Sequence, residues 1–338
     1  MILTPDLSDW IRSTLGASSI ESAQIVQSLW SGYGQIVRVQ LRGCRHSSVI
    51  VKEISPPDQS SEHGQHPRGW NTSLSHRRKL RSYEVEQAFY ATFADRCDEY
   101  CRVARCLATA SDASKQVLIL EDLDASGFPI RHRWLNPHQV KQGLAWLASF
   151  HAVFLHEADQ ATSSIAKGLW PVGTYWHLDT RPDELDAMPH GDLKLAASEI
   201  DERLRNARYQ TLVHGDAKVA NMCFRHEPNL APAMVDFQYV GRGCGMKDVA
   251  YFFSSCISED ECERHEDEYL DSYFQSLRQA MTRREGSSVH LTSLEAEWRS
   301  LYPFAWADFV RFLEGWCPGH AKLTGHTQKM VQLALQKL

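Results

Sequence analysis

The hydrophobic positions fall into two regimes along the chain. From about residue 29 to 54 they come in short, β-branched runs. Ile36-Val37-Arg38-Val39-Gln40-Leu41 and Val49-Ile50-Val51-Lys52 stand either side of a polar turn, and both predict strands. Residues 55–79 are dense in Pro, Ser, Gly and His and predict a long loop. A helix is predicted over 84–93. Val117-Leu118-Ile119-Leu120 predicts another buried strand, closed by Glu121-Asp122-Leu123 and a turn at Ser126-Gly127. Helical spacing then takes over. Val140, Leu144, Leu147, Phe150, His151 and Phe154 recur every three or four residues, as do Tyr269, Leu270, Tyr273, Phe274, Leu277 and Met281. Fainter periodicity predicts helices over 295–312 and 320–335. Thr211-Leu212-Val213 and Ala233-Met234-Val235 predict two short strands flanking polar residues. No internal repeat interrupts this order. The pattern predicts a small strand-rich front part (1–120), a junction (121–127) and a larger helical rear part (128–338).

Composition narrows the classes. A chain of 338 residues that is 43% hydrophobic and 23% charged can bury a sizeable core, which excludes disorder as its main state. Its 36 Lys and Arg against 42 Asp and Glu give a net charge of −6, which disfavours a sequence-independent nucleic-acid binder. No apolar run approaches the ~18 residues of a membrane helix. The start, MILTPDLSDW, lacks the basic-then-apolar order of a secretory signal. Nine Cys, an odd number without disulfide-like spacing, fit a reducing compartment. The expectation is a cytoplasmic protein with neither nucleic acid nor membrane as partner.

The segment richest in chemistry is His214-Gly215-Asp216-Ala217-Lys218-Val219-Ala220-Asn221, followed fifteen residues after Asn221 by Asp236-Phe237-Gln238. Each part adjoins a short apolar strand, so a rigid scaffold holds polar side chains on a loop. Asn221 and Asp236 can converge on one Mg²⁺, an ion that prefers oxygen ligands and shares its sites with phosphates. Asp216 is then free to accept a proton from an attacking hydroxyl, and Lys218 is placed to meet a transferring phosphoryl group. Either acidic residue alone is more simply a turn cap. The ordered set is not.

This set resembles the aminoglycoside phosphotransferase and choline kinase superfamily. Leu120-Glu121-Asp122-Leu123, His214-Gly215-Asp216 and Val235-Asp236-Phe237-Gln238 are most similar to its ecdysteroid kinase-like branch. The resemblance spans roughly residues 28 to 280. It implies an α+β, two-lobed protein kinase-like fold, with a small antiparallel-sheet lobe and a larger helical lobe. ATP and Mg²⁺ would bind between the lobes, and the γ-phosphoryl group would pass to a hydroxyl of a small-molecule acceptor. The resemblance implies Asp216 as base, Asn221 and Asp236 as metal ligands, and Asp248 with His214 as supports of the catalytic loop. Lys52, ending its strand, matches the lysine that holds the α- and β-phosphates. Its partner is Glu84 or Glu86, and Glu86-Gln87-Ala88-Phe89-Tyr90 matches the family's Glu-x-x-Phe-Tyr. Glu121 and Leu123 are implied nucleotide contacts. Gly32 and Gly34 would bring backbone N–H groups over the phosphates, although a hairpin turn accounts for the same glycines, and Val37 stands at the third glycine position. Gln238 replaces the Gly of D-F-G, Gly215 the Arg of His-Arg-Asp, and no Ala-Pro-Glu follows, so a protein substrate is not expected. Lys52, Asp216, Asn221 and Asp236 are all present, which disfavours a silent, nucleotide-binding pseudokinase.

Acceptor preference rests on aromatic residues. Trp170, Tyr175 and Trp176 lie in an irregular segment bounded by Pro171 and Gly173 and read as the wall of an acceptor pocket or as core. Trp298, Tyr302, Phe304, Trp306, Phe309, Phe312 and Trp316 carry the same two readings. An aminoglycoside would call for clustered acids, and choline or ethanolamine for an aromatic cage. The aromatic bias favours an apolar or cage-bound acceptor. Cys97, Cys101 and Cys106 lack a fourth ligand and read as core thiols rather than a zinc site. The basic run 77–81 reads as a solvated helix start, the acidic run 259–271 as a wet helix face, and His151 as a satisfied core histidine.

Overall fold

The structure, a computed structural model, describes residues 2–29, 32–56, 73–112, 115–157, 166–227, 231–284 and 289–338. Helix α1 (Pro5–Leu15) opens on Thr4, whose Oγ1 accepts the Leu7 N–H, and closes on Gly16 at φ 66°. Strands β1 (Ser19–Ser28), β2 (Gly34–Arg42) and β3 (Ser48–Ile54) follow, then helix α2 (Ser73–Thr92) and strands β4 (Cys106–Ser111) and β5 (Gln116–Glu121). All five strands form one antiparallel sheet in the order β1-β2-β3-β5-β4. Strand alternation sends Val37, Val39, Val49, Val51 and Ile119 to one face, where Leu7 and Ile11 of α1 close over them. On the other side, Tyr83, Val85 and Phe89 of α2 join the main core.

The remainder is mostly helical. Its elements are α3 (Pro137–Phe154), β6 (His156–Glu157), α4 (Pro182–Ala187), α5 (Asp192–Arg205), β7 (Tyr209–Val213), β8 (Met222–Cys223), β9 (Ala233–Met234), β10 (Gly241–Gly243), α6 (Met246–Cys256), α7 (Glu259–Thr282), α8 (Leu291–Trp316) and α9 (Gly325–Leu335). The Asn136–Gln139 capping box starts α3. Strands β6, β7 and β10 form one small sheet, and β8 pairs with β9. These two ladders frame residues 214–221 and 235–240. The five-stranded sheet with a helical remainder is the α+β kinase-like class expected from the motifs.

Several elements, β4, α4, α5 and α6 among them, have no predicted counterpart, and three differences have a clear physical reason. The first two, α1 and β1, carried no signal: β1 is an edge strand exposed along most of its length, so it lacks polar–apolar alternation. Third, α2 starts at Ser73, inside the predicted loop and well before residue 84. Its first turns are polar because Ser75, His76, Arg78 and Lys79 border a cavity rather than a core. The rest of that predicted loop, residues 57–72, lies outside the described residues. Among the described residues no helix is long and apolar enough to cross a membrane, and the nine cysteines are free thiols.

Candidate active site

Strand β3 carries Lys52 into the interior. Its Nζ lies 2.5 Å from Glu86 Oε2 on α2 and 3.8 Å from Asp236 Oδ1. Burial disfavours the ammonium, but Glu86 and then Asp236 outweigh it and hold the Lys52 pKa above its usual value. Glu84 points outward to Arg81 at 3.0 Å, so Glu86 is the partner.

The loop after β7 is fixed by one buried carboxylate. Asp248, in the first turn of α6, accepts the His214 N–H at 2.6 Å and the Gly215 N–H at 2.9 Å. His151 of α3 lies 3.2 Å from the same carboxylate through Nε2, and its Nδ1 meets the Tyr273 hydroxyl at 2.7 Å. The His214 tautomer follows from its partners. Nδ1 accepts the Asp216 N–H at 3.2 Å, so Nε2 carries the proton and donates it to Val235 O at 3.0 Å. Burial lowers the His214 pKa, consistent with a neutral ring. Gly215 sits at φ 78°, and a Cβ there would lie 2.1 Å from Tyr239 O, so no side chain fits.

These supports aim Asp216 into the cleft. Its Oδ2 lies 2.8 Å from Lys218 Nζ and accepts from Asn221 Nδ2 at 3.1 Å, while its Oδ1 accepts from the Tyr251 hydroxyl at 3.1 Å. Asn221 Nδ2 also donates to Asp216 O at 2.9 Å, which fixes the amide and leaves its oxygen for another partner. Asp236 holds a left-handed φ of 70°, uncommon for a side-chain-bearing residue. Its Oδ1 is shielded from solvent yet takes no hydrogen bond. Burial alone would raise the Asp236 carboxyl; Lys52, then Lys218, outweigh it and hold the pKa below its usual value. Phe237 stacks 4.0 Å from the Phe89 ring and meets the His214 ring at a tilt, 4.6 Å away, which joins α2 to the loop.

Lys52, Glu86, Asp216, Lys218, Asn221, Asp236 and Tyr251 border one cavity of about 750 Å³, while His214, Asp248, His151 and Phe237 support them from behind it. Ile36, Ile50, Ala104, Leu120, Glu121 and Leu123 line its sheet side; Arg78, Tyr175, Arg181, Tyr239, Phe312 and Trp316 line it elsewhere. Gly32 stands between β1 and β2 and Gly34 opens β2, both at positive φ, and neither lines the cavity. A Cβ on Gly34 would meet Glu53 O of β3 at 2.0 Å, so the close approach of that strand, together with the positive φ, demands glycine there. Tyr33 between them borders the cavity and bonds His76.

The aromatic segment needs correction. Of its three rings Tyr175 borders the cavity, whereas Trp176 is wholly buried. Trp176 packs 4.9 Å from Tyr251 and 5.1 Å from Phe309, and its Nε1 donates to Asp308 Oδ2 at 3.1 Å. Trp170 donates to Gln238 O at 2.8 Å and stacks on Tyr239. Both therefore hold the loop scaffold rather than wall a pocket. The sequence reading missed Tyr251, although it lies one helical turn past Asp248. It also read Arg78 as solvated, and the fold turns this residue inward.

His177, next to Trp176, makes a pH prediction. Burial, then Lys247, pushes its pKa down to about 3. The ring stays neutral when folded, so this contribution to stability is complete above about pH 6.5 and fades as pH falls toward 3. His177→Asn keeps an acceptor for the Asp179 N–H now bonded at 3.1 Å. It should flatten that acid limb in urea midpoints taken across the range. An unchanged limb would assign the acid sensitivity to other groups.

The sequence matches the profile of the ecdysteroid kinase-like family over residues 67–175 and 194–285. No curated protein matches it. Among solved structures, a Ralstonia eutropha protein assigned as an aminoglycoside phosphotransferase aligns with a TM-score of 0.52 at 15% identity, covering 98% of this chain and 94% of its own. An ethanolamine kinase from Plasmodium vivax gives 0.48 at 11% identity, covering 94% and 80%. An aminoglycoside phosphotransferase from Streptomyces rimosus, solved with ADP and streptomycin, gives 0.46 at 12%, covering 90% and 100%. The first likeness shows the fold; the other two are too distant to carry an argument.

Proposed function

The chain belongs to the ecdysteroid kinase-like family and is a phosphotransferase of the small-molecule kinase type, and from that premise we propose that it moves the γ-phosphoryl group of ATP to a hydroxyl of a small, apolar or aromatic-caged acceptor. One observation carries the reading. Asp216 is buried, with its carboxylate oriented by Lys218, Asn221 and Tyr251, on the cavity that also holds Lys52 and Asp236.

In this reading residues 1–120 and 128–338 are two lobes joined by 121–127. The adenine lies against Ile36, Ala104 and Leu120 beside Glu121 and Leu123. The Gly32–Gly34 turn covers the phosphates, and Lys52, pinned by Glu86, holds them. The unbonded Asp236 Oδ1 and the Asn221 amide oxygen, left over by the bonds its NH₂ makes to Asp216, are the donors that suit Mg²⁺. When bound, the ion neutralises phosphate charge and fixes its geometry. Asp216 takes the hydroxyl proton as the acceptor oxygen bonds to the γ-phosphorus and the bond to the bridging oxygen breaks, releasing ADP. Lys218 faces the charge on the moving group. His214 and Asp248 hold the loop.

The test is ATP-dependent phosphate incorporation across a library of hydroxylated acceptors, with and without chelator. Turnover persisting in excess chelator would remove the metal from the proposal. Asp236→Ala should abolish Mg²⁺-dependent nucleotide binding, measured by calorimetry. Asn221→Ala should weaken it less, since a neutral amide offers the ion less charge.

A further inference from the structure

Around Tyr175 the cavity is aromatic and cationic together. Tyr175, Tyr239, Tyr251, Phe312 and Trp316 line it with Arg78 and Arg181. Arg181 is almost fully buried, and its Nε donates to Tyr175 O at 2.5 Å, its Nη1 to Glu184 Oε1 at 3.0 Å. Its guanidinium lies 5.1 Å from the Phe312 ring. Arg78 Nη1 donates to Thr180 O at 2.6 Å. A guanidinium has five N–H groups. These bonds leave Nη2 of both arginines without a partner among the described residues, on a cavity that both residues line.

The carboxylates on that cavity are already engaged. Among the described residues, Glu86 faces Lys52, Glu121 faces Arg102, Asp122 faces Arg38 and Asp216 faces Lys218. Asp236 stands near Lys52 with the metal role proposed above. None is left over for a cationic acceptor. Arg78 is instead a cation with no carboxylate at salt-bridge distance among the described residues: burial and the neighbouring Arg181 lower its pKa to about 10, and Glu184 offsets this only in part. A planar anion satisfies two guanidinium edges at once.

We propose that the acceptor is a hydroxy acid: a ring that lies against Tyr175, Phe312 and Trp316, a carboxylate held by Arg78 and Arg181, and a hydroxyl presented to Asp216. The proposal rests on the phosphotransferase reading and adds the charge of its acceptor. It sets aside aminoglycosides and choline, which are cations.

Three probes on one ring test it: hydroxynaphthoate, its neutral primary amide and the cationic aminomethyl naphthol. Each is titrated into the full chain by calorimetry, with Mg²⁺ and a non-hydrolysable ATP analogue present. The carboxylate should bind roughly tenfold to a hundredfold more tightly than the amide, the range of a charge-assisted pair. Arg78→Met should erase that ratio and leave affinity for the amide. Arg78→Lys keeps the charge without the fork and should retain part of it. A thermal melt of each variant checks folding. Equal binding of acid and amide, preference for the amine, no carboxylate binding at millimolar concentration, or an unchanged ratio in folded Arg78→Met overturns the hydroxy-acid proposal. Failure of the phosphotransferase reading looks different: the acid preference persists, but no nucleotide binds and no phosphate moves.

Discussion

Asp216→Asn should lower turnover by about 10²–10⁴, the contribution of a positioned general base, with nucleotide affinity nearly unchanged. The geometry explains why the lesion is chemical rather than structural. Lys218 and Asn221 both donate toward Oδ2, and Tyr251 toward Oδ1. An Asn at this position therefore turns its amide oxygen toward Lys218 and Asn221. Its NH₂ then faces Tyr251, whose hydroxyl rotates to accept. Every neighbour keeps a hydrogen bond, and what disappears is a group that can take a proton. Single-turnover kinetics, beside nucleotide titration and a thermal melt, measure the effect. A variant with near-full turnover would strip Asp216 of the role.

Trp176→Ala should cost about 3–5 kcal/mol of stability, as expected for deleting a buried indole. The ring fills space between Tyr251 and Phe309 and gives Asp308 a hydrogen bond, so a cavity and a lost donor add together. Asp308 keeps Lys247 at 3.2 Å and Arg311 at 2.8 Å, which limits the electrostatic part of the loss. Acceptor KM in the remaining folded protein should not move. A fully stable variant with a raised acceptor KM would return Trp176 to the pocket wall. Denaturant midpoints and acceptor kinetics on the same preparation separate the two.

The residues most legible in the sequence were those whose chemistry requires a given type at a given spacing. Asp216, Asn221 and Asp236 belong to one such set, and the structure brings them to one cavity with Lys52. Glu86 was legible through the Glu-x-x-Phe-Tyr pattern that the family resemblance supplies, and the structure pairs it with Lys52. The acceptor side was not, because its residues meet through the fold rather than through local order. Tyr175 and Trp176 are neighbours in an irregular segment, and no period says which ring faces the cavity. Arg78 sits in a basic run that, without α2 in view, reads as solvent-facing. Helix α2 hid its first turns for the same reason: a helix face turned toward a polar cleft shows no apolar stripe.

The outer core over the sheet has a consequence for the order of synthesis. Its buried residues run from Leu3 to Ile119, so all its parts are made before the first residue of the helical part. Chains emerge at about 5–20 residues per second and tend to fold from the N-terminus as they appear. The Lys52–Glu86 pair belongs to the same early segment, so the buried ammonium has its carboxylate before Asp236 is translated. Phe89 has no such provision. Its stacking partner Phe237 comes far later in the chain, so that face of the ring stays uncovered until then, an apolar surface open to a chaperone or to a second unfinished chain.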